Sequence, residues 1–158
     1  MGNKLEYLLK SHHKDAFLWA RQCADYNDDD AKEILQITYL KVIEKKAKYG
    51  GKSAFKTWLF SVIRFTAIDY FKKNNVYLGL EQIELMADNQ DDIITTDYKS
   101  LLSCLPERQQ EILILAFYHD MTLTEIADIT ALHIGTVRTH YQRGKAALKS
   151  LILKKAYE

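Results

Sequence analysis

The sequence predicts an all-α chain of two small helical domains joined by an acidic, flexible linker. Three observations carry this. One proline and six glycines in 158 residues leave long stretches free to be helical. Apolar residues recur at three- and four-residue spacing in both halves, with no strand alternation beside them. From Gly79 to Tyr98 there are six acids and no Lys or Arg. The domains are placed at 1–75 and 98–158, with the linker at 76–97. The net charge of +1 conceals the distribution: without those six acids, 22 basic residues stand against 15 acidic ones. The flanking blocks are therefore able to carry nucleic-acid surfaces.

In the first block, Leu5, Leu8 and Leu9, then Phe17 and Ala20, predict one opening helix. The run Asn27–Asp30 stops it and caps the next. Ile34, Leu35, Thr38, Tyr39 and Val42 form the stripe of a second helix, fading through Glu44–Lys48. Gly50-Gly51 breaks the chain, and Ser53 is the expected N-cap of a helix through Phe55, Trp58 and Leu59. That pattern continues through Val62, Ile63, Ala67, Ile68 and Phe71 and ends at Lys72–Asn75. Within the linker, an apolar patch from Leu78 to Met86 predicts a turn of helix.

The second block opens near Tyr98. Leu101, Leu102 and Leu105 lead to Pro106, expected in the first turn of a following helix. Ile112, Leu113, Leu115, Ala116 and Tyr118 continue it. Thr122 and Glu125 then have the spacing of a capping box, and Ile126 and Ile129 give a short helix its apolar side. Gly135-Thr136-Val137 starts a longer helix on which Arg138, Arg143, Lys145 and Lys149 follow. A short helix, a tight turn and a basic helix form a helix-turn-helix, whose second helix enters the DNA major groove.

Several classes of function are excluded. His12, His13, His119, His133 and His140 pair with no Cys, Asp or Glu at metal-site spacing. The acidic linker lacks the ligand alternation and central glycine of a calcium loop. There is no glycine-rich phosphate loop and no nucleophile elbow. No enzyme activity, cofactor or metal is expected. Cys23 and Cys104 are expected to be buried, reduced thiols. Neither a membrane-span-length apolar run nor the apolar core of a signal peptide is present, so a cytoplasmic protein without membrane insertion is expected.

A second nucleic-acid signal lies between Phe55 and Lys73, where aromatics and cations interleave. Such surfaces track phosphates with cations and stack rings on unpaired bases. Trp58, Leu59 and Ile63 fit an ordinary core, and the residues alone leave Lys52, Lys56, Arg64, Lys72 and Lys73 open between a DNA-facing role and the basic end of such a core.

Together the two blocks resemble the extracytoplasmic-function (ECF) sigma factors of the sigma-70 family of bacterial RNA polymerase. Asp30-Ala-Lys-Glu-Ile-Leu-Gln36, followed by Tyr39, resembles the region 2 helix that docks on the polymerase β′ clamp helices. The resemblance implies polymerase binding by Asp30, Glu33, Gln36 and Tyr39. Phe55–Leu59 through Arg64 to Ala67–Lys72 is similar to the segment that melts and reads the minus-ten element. Lys52, Lys56, Trp58, Arg64, Phe65, Lys72 and Lys73 are the implied DNA residues, and the Gly50–Ala54 loop would help capture a flipped base. Leu105–Gln109, Glu125-Ile-Ala127, Gly135–Val137 and Arg143 resemble region 4, which reads the minus-thirty-five element and sits on the β flap. There the implied DNA residues are Thr136, Arg138, Thr139, His140, Arg143 and Lys145.

The chain departs from the family pattern at several positions. Ile37 stands where an acid is usual, Phe65 replaces a common Asn, Thr139-His140 replaces Ser-Arg, and His133 takes a Ser cap position. The implied partners are core RNA polymerase, promoter DNA and an anti-sigma or recruiting protein. The alternative is a two-domain helix-turn-helix regulator that binds DNA independently of polymerase.

Overall fold

The computed structural model describes residues 2–78 and 96–157, and they divide into two units split near residue 89. All regular structure among the described residues is helical. The expected turn of helix beyond Leu78 and most of the acidic linker lie outside them.

The first unit contains α1 (Gly2–Ser11), α2 (His13–Cys23), α3 (Asp28–Ile43) and α4 (Phe55–Leu78). The single opening helix expected from periodicity is two. His12 leaves helical geometry at φ −104° and ψ 7°, and its ring packs 5.7 Å from that of Phe55. Hydrogen bonds continue across the break, from His12 N–H to the Leu8 carbonyl and from Ala16 N–H to that of His12. The pattern of apolar residues therefore runs on through a bend that it does not reveal.

The end of α2 is set before the aspartate run. Asp25 is left-handed, at φ 52°, and Tyr26 N–H returns to the Arg21 carbonyl at 2.7 Å. This is the six-to-one bond of a Schellman motif. Asn27 then caps α3, its Oδ1 accepting from Asp30 N–H at 2.9 Å. Asp28, Asp29 and Asp30 occupy the first turn, where negative charge favours the helix dipole. Lys45, at φ 60°, ends α3 in the same way as Asp25 ends α2, with Lys46 N–H bonded to the Lys41 carbonyl.

The expected cap of α4 is displaced by one residue. The first turn closes with Trp58 N–H on the Ala54 carbonyl, and Ser53 Oγ lies 3.4 Å from that same carbonyl instead of capping. Helices α2, α3 and α4 pack on one another around Ala16, Trp19, Ile34, Leu59, Phe60 and Ile63, all buried. Trp19 stacks on Phe60 at 5.6 Å with the rings 4° from parallel, and donates Nε1–H to the Phe60 carbonyl at 3.0 Å. Ile68 leaves the predicted core stripe and is 39% exposed.

The second unit contains α5 (Thr96–Ser103), α6 (Glu107–Leu113) continuing into a π turn (Ile114–Tyr118), α7 (Leu123–Thr130) and α8 (Ile134–Ala156). Pro106 is the N-cap of α6, one position ahead of the expected first turn, with ψ 147°. The π turn holds an extra residue per turn, so the stripe shifts. Leu115 stays buried while Phe117 and Tyr118 face solvent, which removes Tyr118 from the predicted core. Cys104 is exposed and Cys23 half-buried, against the expectation of two buried thiols, because Cys104 lies in the corner after α5.

Gly144 lets α8 come close to α6. A Cβ there would stand 3.1 Å from Leu113 Cδ1 and 3.3 Å from Gln109 Cβ. Thr122 forms the full capping box with Glu125: Oγ1 accepts from Glu125 N–H at 3.1 Å, and Glu125 Oε1 accepts from Thr122 N–H at 3.0 Å. Thr122→Ala is expected to cost about 1 kcal/mol. Urea unfolding of the full chain, followed by a probe in the second unit, measures it.

Candidate docking and nucleic-acid surfaces

On α3, the four residues assigned to polymerase do not form one surface. Glu33 and Gln36 are exposed. Asp30 is half-buried and accepts a hydrogen bond from Tyr70 Oη of α4 at 2.8 Å. Tyr39 Oη lies 2.8 Å from His13 Nδ1, and burial pushes its hydroxyl up to about 12. Gln36 and Tyr39 line a groove of about 510 Å³ between α2 and α3, together with His13, Phe17, Lys32, Leu35, Leu40 and Ile43. Leu40 and Ile43 are 47% and 62% exposed. Sequence reasoning missed both. The signal was available: from Gln36 they follow at four and seven residues, which is one helix face.

On α4, one side is buried against α2 and α3, and the other shows Phe65 (53% exposed), Ile68 and Lys72. Trp58 sits seven residues before Phe65 on the same side and is half-buried. It is held in an aromatic box with Tyr49 and Phe55, the three ring centroids 5.4 to 5.5 Å apart. Tyr49 Oη donates to the Ser53 carbonyl, which fastens the loop that carries exposed Lys52. Tyr49 and Ile68 were not among the predicted DNA residues, Ile68 having been expected in the core stripe. Lys73 is exposed, 3.7 Å from Asp69. Arg64 is half-buried and already engaged.

Lys56 does not join this surface. It points to α2, 3.3 Å from Asp15 and 5.6 Å from the Phe60 ring centroid. Its position nine residues before Phe65 puts it half a turn around the helix, which composition alone hides.

The helix-turn-helix is complete. Ala131, at φ 59°, turns the chain after α7, and His133 caps α8 with Nδ1 accepting from Gly135 N–H at 3.2 Å. Thr136, Arg138, Thr139, Arg143 and Lys145 are exposed on α8, as is Gln142, which the sequence reading passed over. Helix α8 contains no Asp or Glu, so nothing along it offsets these cations. The Thr139 hydroxyl is spent on the Gly135 carbonyl at 3.0 Å, leaving its methyl group for contact. His140 departs from expectation: it is half-buried, and its Nδ1 is buried without a hydrogen-bond partner. Lys145 Nζ stands 5.0 Å from the Tyr141 ring centroid, and Tyr141 stacks on Phe117 at 5.9 Å.

Among the described residues no helix is long and apolar enough to cross a membrane, and no group of three His, Cys, Asp or Glu is placed to hold a metal ion.

The segments that carry these surfaces match known proteins. The family model of Sigma-70 region 2 matches residues 8–76, and that of Sigma-70, region 4 matches residues 96–148. The RNA polymerase sigma factor SigV of Bacillus subtilis is 30% identical over 131 residues, covering 81% of this chain and 79% of its own. The ECF RNA polymerase sigma factor SigX of the same organism is 24% identical over 164 residues, covering 94% and 84%. In fold, the chain is similar to the sigma factor RpoE of Bartonella quintana, solved with the anti-sigma factor NepR. The TM-score is 0.74 at 20% identity, over 94% of this chain and 96% of that one. It is also similar to CnrH, solved with the cytosolic domain of CnrY, with a TM-score of 0.69 at 18% identity over 96% and 89%. Two region models in order, and a relative at this identity over most of both chains, establish that the chain belongs to the sigma-70 family as an ECF-type RNA polymerase sigma factor, one that binds core polymerase and directs promoter-specific initiation.

Proposed function

We propose that the work of initiation is divided among the surfaces described above. Residues 1–75 dock the factor on the β′ clamp helices and open the minus-ten element, 76–97 tether, and 98–158 read the minus-thirty-five element and sit on the β flap. The observation that carries this is that the first unit exposes two unlike surfaces. The α2–α3 groove is apolar and suits a protein partner, with Gln36 and Tyr39 in it and Glu33 on the same exposed helix. The α4 line of Phe65, Ile68 and Lys72 mixes rings and charge and suits unpaired DNA. Trp58, Lys52 and Lys73 extend that line; Arg64 supports it from its edge, and Lys56 stays on the α2 side.

The factor acts by binding alone, without catalysis or cofactor, in the cytoplasm. RpoE was solved with the anti-sigma factor NepR and CnrH with the cytosolic domain of CnrY, which supports restraint or recruitment of this chain by an anti-sigma or recruiting protein. A pull-down with core polymerase followed by run-off transcription tests the assignment. Retention of the chain by free promoter DNA, but not by core, would overturn it.

In the second unit, Thr136, Arg138 and Thr139 stand in the first turns of α8, the part that meets base edges. Arg143 and Lys145 lie further along and meet phosphates, while half-buried His140 supports the helix from its core side. Arg138→Ala is expected to relax selection at one or two minus-thirty-five positions, by about 1–3 kcal/mol. Arg143→Ala is expected to weaken all promoters alike and to lower the salt slope by about 1. A randomised-promoter selection distinguishes the two, and an unchanged sequence preference for Arg138→Ala removes it from the base-reading set.

A further inference from the structure

Helices α3 and α4 are set to different tasks by the proposed function, and two part-buried side-chain bonds tie them together. Tyr70 Oη donates to Asp30 Oδ1 at 2.8 Å, and Lys41 Nζ donates to Thr66 Oγ1 at 3.1 Å. Asp30 is also fixed in its own helix, because its N–H donates to the Asn27 cap. Tyr70 lies on the α3-facing side of α4, away from the exposed line of Phe65, Ile68 and Lys72. Burial pushes its hydroxyl up to about 12; the Asp30 hydrogen bond and the Asp30 and Glu33 charges add to this, and Asn74 opposes it. The hydroxyl therefore stays protonated and donates at physiological pH. Exposed Lys72 and Lys73 follow two and three residues later, so the Tyr70 anchor fixes the rotation of α4 where those cations stand.

A carboxylate turned inward onto a phenol is a weak docking charge, and a docking role would leave this bond unexplained. We infer that Asp30 is a positioning residue for promoter opening: through Tyr70 it sets the end of α4 that carries Lys72 and Lys73, and it does not meet polymerase through its charge. The inference rests on the division of labour proposed for α3 and α4.

The test uses the full chain with Tyr70→Phe, Asp30→Ala and Asp30→Asn. Asparagine keeps an oxygen that can accept from Tyr70 but removes the charge. Tyr70→Phe and Asp30→Ala are each expected to lower the yield of permanganate-reactive open complex about tenfold, the scale of one hydrogen bond to a charged acceptor. The double variant falls no further than either alone. Asp30→Asn restores most of the yield, and all variants co-elute with core polymerase as the unsubstituted chain does. Loss of core binding by Asp30→Asn overturns the inference in favour of a docking charge. Open-complex yield untouched by Tyr70→Phe overturns it as well. A fall in core binding and open complex in step with a lowered melting temperature would reduce the pair to a structural tie. Failure of the underlying division looks different: Leu40→Asp with Ile43→Asp would then leave co-elution with core unchanged, whatever the Asp30 and Tyr70 variants do.

Discussion

Placing aspartate at both Leu40 and Ile43 is expected to abolish association with core polymerase while leaving the helical circular-dichroism spectrum and melting temperature unchanged. The two side chains are already 47% and 62% exposed, so the free protein loses little by the change. The complex loses a great deal. Two apolar anchors are worth about 1.5–3 kcal/mol each when fully covered, and an uncompensated carboxylate under a partner helix costs several kcal/mol more. The affinity should drop by more than about 100-fold, since each 1.4 kcal/mol is tenfold. Size-exclusion co-elution with core measures it. Retained co-elution would move the docking surface off the α2–α3 groove. Glu33→Arg on the exposed face of the same helix should weaken binding far less, because a rim charge acts mainly on the encounter rate.

The largest expected loss of stability follows Trp19→Ala. Trp19 is 2% exposed, stacked on Phe60 and bonded to the Phe60 carbonyl. Truncating a buried aromatic costs about 3–5 kcal/mol, against a total of about 5–15 kcal/mol for a domain. The first unit should unfold at a lower denaturant concentration, with exchange protection lost together across α2, α3 and α4. Amides of α7 and α8 should keep theirs, because the packing around Ile126, Ile129 and Val137 is not touched. Trp19→Phe keeps a ring over Phe60 and gives up one hydrogen bond, so it should cost much less. Equal loss of protection in both units would show that they unfold as one.

Where the sequence was legible, a side chain and its partner sat within a turn of each other. Thr122 and Glu125, Asn27 and Asp30, and the stripes of Ile34 with Leu35 or Ile126 with Ile129 are local patterns, and each stands as expected. What the sequence hid was decided by contacts distant in the chain or by backbone geometry. Lys56 reads as one cation in a basic aromatic stretch until Asp15, 41 residues earlier, is found beside it. Asp30 matches a docking pattern, yet its partner is 40 residues away on α4. The bend at His12 and the π turn at Ile114–Tyr118 each alter which way the following side chains face, while the order of apolar and polar letters stays the same. Of the candidate site, the exposed cations of α8 were legible because a short turn fixes that helix, whereas the groove beside Leu40 and Ile43 needed two helices to exist.

Among the described residues, the corners are turned largely without glycine. Asp25, Tyr26, Lys45, Asp120 and Ala131 are all left-handed, and Gly51 is the single glycine with positive φ among the described residues. An L-residue in that conformation gives up about 1–2 kcal/mol relative to glycine. Aspartate recovers part of this through its own side chain, but Lys45 and Ala131 have no such compensation. The folded state therefore sits below the stability its helices would allow, and a larger fraction of molecules is open at any moment to proteolysis. For a factor that acts only while bound to core polymerase, lifetime in the cell limits output as surely as affinity does. Lys45 lies outside the proposed polymerase and promoter surfaces, so a change at that corner can lengthen or shorten that lifetime without altering what the factor recognises, whereas Ala131 also sets the turn that fixes α8.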